Sequence, residues 1–208
     1  MKKNIKKNLR WILLIACLIV FFVILEDVLD KEINQFDSNI YKFISYGISN
    51  TVTIIAKVIT TIGSAYVIIP VCIITAICLW KKKQGKYIII NLLIVFLSNQ
   101  ILKKIIERPR PEGFRIVEES GYSFPSGHSM VSMAFYGLFI YFIYNNIENK
   151  YIKWISIVLI SILIILIGIS RIYLGVHYAS DVFAGFCLSL AYLALFTNII
   201  SNKKEKIE

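Results

Sequence analysis

The sequence predicts an all-α integral membrane protein, a bundle of six transmembrane helices with an additional amphipathic helix at the membrane interface. Of its 208 residues, 57% are hydrophobic, and the mean hydropathy is +0.70. Soluble domains are about 45–50% apolar. The chain contains six long apolar segments, and lysines cluster at their ends. The length is that of a single domain, so we treat residues 1–208 as one membrane-embedded unit.

The apolar segments have the length that a membrane requires. A hydrocarbon core of about 30 Å needs about 20 helical residues. The first segment follows a lysine-rich stretch but lacks a small-residue cleavage site after it, which favours an uncleaved helix over a signal peptide. Pro70 predicts a kink in the second segment. The predicted spans are 9–29, 58–80, 87–106, 127–144, 154–170 and 178–200.

The segment 31–57 differs from the spans because charged and apolar residues alternate along it. Apolar residues such as Ile33, Phe36, Ile40 and Ile44 recur at helical spacing. This pattern predicts an amphipathic helix that lies along the membrane interface. An ordinary loop is the alternative.

The distribution of lysine and arginine predicts the orientation. The formal net charge is +10, but no solvated patch alternates bases with aromatics, so we expect no nucleic-acid partner. Basic residues of a membrane protein collect on the cytoplasmic side. With both termini cytoplasmic, that side receives most of them: Lys2, Lys3, Lys6, Lys7, Arg10, Lys81, Lys82, Lys83, Lys86, Lys150, Lys153, Lys203, Lys204 and Lys206.

Three polar clusters stand at the ends of apolar segments, within residues 103–181. They are Lys103-x6-Arg110-Pro111, Pro125-Ser126-Gly127-His128 and Ser170-Arg171-x5-His177-x3-Asp181, and they contain both histidines of the chain. The predicted topology places all three at the outer face of the membrane. The sequence therefore predicts one site that the three clusters share.

The third cluster combines a histidine with an acid. If the last helix begins near Val176, His177 and Asp181 lie on one helix face. The carboxylate then orients the imidazole and leaves its other nitrogen free, as in a catalytic histidine–aspartate pair. The alternative is a structural hydrogen bond at a helix end, but such a bond has no need of Arg171 nearby.

The other residues of the clusters suit an anion. Ser126 is a favoured N-cap, Gly127 permits close backbone approach, and a helix start binds anions. Lys103 alone is explained by snorkelling to the interface. Together with Arg110 and Arg171, however, it forms a mutually repelling group that a bound phosphate would relieve, with bidentate geometry from arginine.

These spacings resemble the signature of the type 2 phosphatidic acid phosphatase superfamily at every motif position. The resemblance implies a metal-independent, cofactor-free phosphatase in which His177 is the nucleophile, oriented by Asp181, and His128 is the general acid and base. It also implies that Lys103, Arg110, Arg171 and the Ser126–Gly127 backbone hold the phosphate. The four cysteines and the scattered carboxylates show no metal-ligand spacing.

The implied substrate is a lipid phosphate or pyrophosphate in the plasma membrane. A site at the outer face favours undecaprenyl pyrophosphate, with a phosphatidate-type lipid or phosphatidylglycerol phosphate next. The alternatives are a lipid phosphotransferase and a non-catalytic lipid binder or transporter. A soluble vanadate-binding haloperoxidase is disfavoured by the apolar spans. The sequence leaves open the lipid, the oligomeric state and the role of the acidic loop 112–123.

Overall fold

The computed structural model describes residues 2–82 and 84–205, and all regular structure in these residues is helical. This confirms the predicted all-α class. Lys83 and Lys206, which entered the charge count, lie outside the described residues. The elements are α1 (Lys2–Leu29), α2 (Asn34–Ser45), α3 (Asn50–Ile62), α4 (Ala65–Cys78), a 3₁₀ turn (Trp80–Lys82), α5 (Gln84–Ile106), α6 (Gly127–Asn146), α7 (Lys150–Tyr173) and α8 (Ala179–Glu205).

The described residues hold fewer candidate spans than the six expected. Four helical segments are long and apolar enough to cross a membrane: Asn8–Leu29, Gln84–Ile106, Lys150–Tyr173 and Ala179–Ser201. The helices α2 and α3 pass the same test only when they are joined as one broken span, which raises the number to five.

The predicted second span, 58–80, is wrong as a continuous helix. The helix α3 ends at Ile62 and α4 starts at Ala65, so the chain breaks at Gly63 and Ser64 rather than at Pro70, which lies inside α4. The backbone groups freed by the break find partners. The Tyr136 hydroxyl donates to the Ile62 carbonyl at 2.8 Å, and such pairing makes a helix end tolerable in an apolar surrounding.

The single amphipathic helix predicted over 31–57 is also wrong. Two helices, α2 and α3, occupy this region and are bent by 119° relative to each other. Ser49 separates them, because its side chain accepts a hydrogen bond from the Val52 backbone at 3.3 Å and so caps α3. The helix α2 is not a free surface helix either, since its Asp37 is buried against the bundle.

The helix α8 is the central element of the bundle. It packs against α1 and α6, while α6 also contacts α5 and α7. Half of the apolar window of α8 is buried, compared with 17–22% for the windows in α1, α5 and α7. The two helices that start at the second and third polar clusters, α6 and α8, therefore form the core of the molecule.

The substitution Gly85→Ala tests the close packing of α5 on α4. A methyl group at residue 85 would overlap the backbone carbonyl of Ala76. Because backbone cannot move aside as a side chain does, we expect thermal unfolding in detergent to show a loss of about 1–3 kcal/mol. The control is Gly47→Ala, where the added carbon meets its nearest neighbour at an ordinary 3.4 Å. Equal stability of the two variants would contradict this packing.

Candidate active site

The three polar clusters meet at one end of the bundle. The Ser126 backbone N–H donates to the Asp181 carbonyl at 3.0 Å, which joins the second cluster to the third. The Arg110 guanidinium donates to the Val176 carbonyl at 2.8 Å, which joins the first cluster to the third. The connection between α5 and α6 thus folds back over the ends of α7 and α8.

His177 and Asp181 form a buried pair, 2% and 0% exposed. The distance from His177 Nδ1 to Asp181 Oδ2 is 3.4 Å. The helix α8 starts at Ala179, not near Val176 as predicted, so His177 precedes it. Gly175 has a φ of +70° and turns the chain after α7.

The hydrogen bonds around His177 fix its tautomer. The Arg110 Nη1 lies 3.1 Å from His177 Nε2. A guanidinium only donates hydrogen bonds, so Nε2 must be the accepting nitrogen and Nδ1 must carry the proton. That proton faces the Asp181 carboxylate. The nitrogen that carries the lone pair, Nε2, therefore faces Arg110, on the side where the cations lie.

The electrostatic surroundings keep His177 neutral. Burial, together with the positive charges of Arg171, Arg110 and Lys103, lowers the pKa of His177 well below its usual value of 6.5. A neutral imidazole has the lone pair that a nucleophile or a general base needs. The cations around His177 thus favour the reactive form.

Loop carbonyls hold two members of the cation cluster, which comprises Lys103, Arg110 and Arg171. Lys103 donates to the Tyr122 carbonyl at 2.8 Å. Arg110 donates to the carbonyls of Gly121 at 2.9 Å and Ser120 at 3.0 Å. The connection after α5 therefore wraps around these two side chains and fixes the Lys103 ammonium and the Arg110 guanidinium.

Arg171 is held by side chains instead. Its guanidinium donates to the Thr60 hydroxyl at 2.8 Å and forms an ion pair with the Glu119 carboxylate. Its Nε is buried without a partner among the described residues. A buried unpaired donor costs free energy, and an anion oxygen at this place would satisfy it.

Glu119 is a charged neighbour of the site whose role the sequence left open. Burial acts to raise the pKa of Glu119, but Arg171 and Arg110 outweigh it and hold that pKa below its usual value. The carboxylate is therefore ionised at neutral pH and sits within the cation cluster. The acidic run of the loop was the only sequence signal for it.

The start of α6 supplies the second predicted cluster. Ser126 is its N-cap, as expected, and its hydroxyl accepts a hydrogen bond from the Ser129 backbone at 3.4 Å. A Cβ on Gly127 would lie 3.0 Å from the Asn99 side-chain oxygen, so a close neighbour explains the glycine. His128 follows, and the charges that act on its ring are those of Arg171, Glu119 and Lys103.

Sequence reasoning missed a buried network behind Asp181. The Arg108 Nη1 donates to Asp181 Oδ1 at 2.6 Å, and its Nη2 donates to Asp37 Oδ2 at 2.8 Å. Ser180 joins both partners, because its hydroxyl donates to Asp37 at 2.7 Å and accepts from Arg108 at 2.7 Å. Asp37 had a detectable signal, since it falls four residues after Ile33 and three before Ile40, at the helical spacing of the apolar residues.

Neither the cysteines nor the acidic side chains of residues 2–82 and 84–205 are grouped as metal ligands are. All four cysteines are free thiols. Across residues 2–82 and 84–205, no three side chains of His, Cys, Asp or Glu lie close enough together to hold a metal ion. Two carboxylates of the site are engaged by arginines, Asp181 by Arg108 and Glu119 by Arg171.

Comparison with known protein families gives a match that contains the whole motif region, residues 103–181. The model of the PAP2 superfamily matches residues 84–205, a range that holds all three polar clusters.

Comparison with curated proteins and solved structures gives concordant results. A Bacillus subtilis protein named phosphatidylglycerophosphatase B is 38% identical over 139 residues, which is 64% of this chain and 67% of that protein. A Sulfolobus acidocaldarius protein named undecaprenyl-diphosphatase is 29% identical over 190 residues, covering 88% and 87%. The crystal structure of a transmembrane PAP2 type phosphatidylglycerolphosphate phosphatase from Bacillus subtilis superposes with a TM-score of 0.84 at 27% identity, covering 94% of this chain and 97% of that one.

The neutrality of His177 is directly measurable, because the chain has two histidines. In protein labelled with ¹⁵N-histidine, we expect the His177 ring to stay neutral as the pH falls through 6.5. A lowered pKa means that protonation of His177 begins only at more acidic pH. The variant His177→Ala assigns the signals in the NMR titration. A midpoint at or above 6.5 would show that the cations do not control this ring.

Proposed function

The chain belongs to the PAP2 superfamily, and we propose that it is a membrane lipid phosphatase that acts through a phosphohistidine at His177. The observation that carries this proposal is the arrangement around His177 Nε2. The lone pair of this nitrogen accepts a hydrogen bond from Arg110 at 3.1 Å, and the nitrogen lies among cations with an unpaired donor on Arg171. A bound phosphoryl oxygen would take over the Arg110 hydrogen bond and leave the lone pair free for attack. Such a site suits attack on a phosphorus atom that carries negative oxygens.

The proposed reaction has two displacements. In the first, His177 Nε2 forms a bond to phosphorus, the bond from phosphorus to the leaving oxygen breaks, and His128 protonates that oxygen. In the second, His128 removes a proton from water, the water oxygen attacks phosphorus, and the bond to nitrogen breaks. Inorganic phosphate leaves, and both histidines return to their starting states.

The remaining site residues have supporting roles in this proposal. Asp181 accepts a hydrogen bond from the Nδ1–H of His177 and stabilises the positive ring that forms when Nε2 binds phosphorus. Lys103, Arg110 and Arg171 hold the phosphoryl oxygens, together with the Gly127 backbone N–H at the start of α6. The Ser126 N–H, which the sequence also suggested, already donates to the Asp181 carbonyl. No step requires a metal ion or a cofactor.

We place the site at the outer face of the plasma membrane, with six spans and both termini cytoplasmic. In this arrangement the broken pair α3 and α4 supplies the second crossing, and α2 lies near the interface. The lysine-rich connections support the orientation. A helix break inside a membrane is tolerated where side chains of neighbouring helices form hydrogen bonds with the freed backbone groups. The Tyr136 hydroxyl does this for the Ile62 carbonyl.

The substrate that we favour is undecaprenyl pyrophosphate, which splits into undecaprenyl phosphate and inorganic phosphate. Three cations in one site, of which Arg110 and Arg171 are buried, match the higher charge of a pyrophosphate. A relative with this specificity in its name covers 88% of the chain. Phosphatidylglycerol phosphate is the second candidate, because the 38% identical relative is named for it.

A panel of lipid substrates tests the function. We expect the purified protein, in detergent with EDTA, to release phosphate from undecaprenyl pyrophosphate or phosphatidylglycerol phosphate. Since His177 is the nucleophile, His177→Ala should release none above background while keeping the unfolding temperature of the wild type. Normal hydrolysis by His177→Ala, or a strict requirement for Mg²⁺, would refute the mechanism. Movement of labelled lipid without phosphate release would indicate a transporter.

Glu119→Gln tests whether a carboxylate competes with phosphate for Arg171. The side chain of Glu119 is 34% exposed, so solvent weakens the ion pair. We expect tighter competitive inhibition by orthovanadate or phosphate, by about fivefold, from an interaction on the order of 1 kcal/mol. The matched control is Glu118→Gln, an exposed neighbour that should leave inhibition unchanged. Weaker inhibition of Glu119→Gln would mean that Glu119 assists binding instead.

A further inference from the structure

The Asp181 carboxylate divides its two oxygens between two tasks. Oδ1 accepts from Arg108 at 2.6 Å. Oδ2 accepts from the Tyr178 backbone at 2.9 Å and lies 3.4 Å from His177 Nδ1. Because Arg108 holds one oxygen, the carboxylate cannot rotate away from the histidine without losing a short charged hydrogen bond.

Arg108 is in turn fixed from several sides. Asp37 accepts from its Nη2 at 2.8 Å, and the Tyr178 ring lies under the guanidinium carbon at 4.0 Å from the ring centroid. Asp37 is itself held by the backbone and the hydroxyl of Ser180, at 2.8 and 2.7 Å. The guanidinium thus has one available position.

The charge of Asp37 also matters. Arg108 alone would balance the negative charge of Asp181 within a buried site. With Asp37 present, one guanidinium is shared by two carboxylates, so the group of three keeps a net negative charge beside His177. A nearby negative charge favours the positive ring that a phosphorylated His177 would carry.

We propose that Arg108 and Asp37 are positioning residues, which act through Asp181 to hold His177 in the orientation in which Arg110 can donate to its Nε2 and so fix its tautomer. The proposal deepens the function proposed above and rests on it for its kinetic consequence. Asp37 belongs to α2, so a helix outside the three polar clusters controls the nucleophile. Neither residue is expected to touch the substrate.

Kinetics and NMR on the full-length protein test this proposal together. For Asp37→Asn and Arg108→Lys, we expect kcat to fall about 10- to 100-fold, the range known for side chains that orient the ligands of a catalytic metal. KM should stay within about twofold of the wild-type value. The matched control is Glu32→Gln, which removes an exposed carboxylate just before α2 and should leave kcat unchanged. Asp37→Glu should recover part of the rate.

The tautomer supplies a readout independent of turnover. In ¹⁵N-histidine-labelled wild type, His177 should carry its proton on Nδ1. In Arg108→Lys and Asp37→Asn, the loosened Asp181 should let the ring turn away from Arg110, so the Nε2–H form should become populated. Folded variants with wild-type kcat and an unchanged tautomer would overturn the proposal and assign the network to stability alone.

The outcomes also separate the two proposals. If the wild type releases no phosphate from any lipid of the panel, the proposed function fails, while the tautomer still decides the positioning role. If Arg108→Lys does not fold, Asp37→Asn, which removes a charge and keeps the shape, decides in its place.

Discussion

Burying positive charge at one end of a helical bundle is the constraint on which the rest of this site depends. Lys103, Arg110 and Arg171 repel one another, and a charge removed from water is costly unless it is paired and hydrogen-bonded. The fold meets this cost locally. The carbonyls of residues 120–122 hold the first two side chains, and this requirement explains why the connection after α5 folds inward.

The same charges suit His177 to its proposed role as nucleophile. A buried imidazole among cations is neutral, and Arg110 donates to its Nε2. The opposite side of the ring faces Asp181, which is fully buried and bound by Arg108. Positive charge on one side keeps the ring neutral, and in the proposed mechanism negative charge on the other side would stabilise the ring once it bonds to phosphorus.

The sequence predicted the all-helical class, because the length of an apolar segment is a local property. It predicted the convergence of the three motifs from the order in which the spans alternate across the membrane. It did not predict the break at Gly63, since that break depends on a hydroxyl from Tyr136, far along the chain. It also placed the start of α8 too early, because the turn depends on the backbone of Gly175. Arg108 was overlooked because its partners, Asp37 and Asp181, are distant in sequence.

The motif region contains more cationic side chains than carboxylates to pair with them, so some hydrogen-bond acceptors must come from other parts of the chain. Two of these acceptors lie before residue 84, where the family match begins. Thr60 from α3 receives a hydrogen bond from Arg171, and Asp37 from α2 receives one from Arg108. A buried guanidinium without acceptors would be strongly destabilising. The motif region therefore needs the helices that precede it, and the bend between α2 and α3 lets both reach the same end of the bundle.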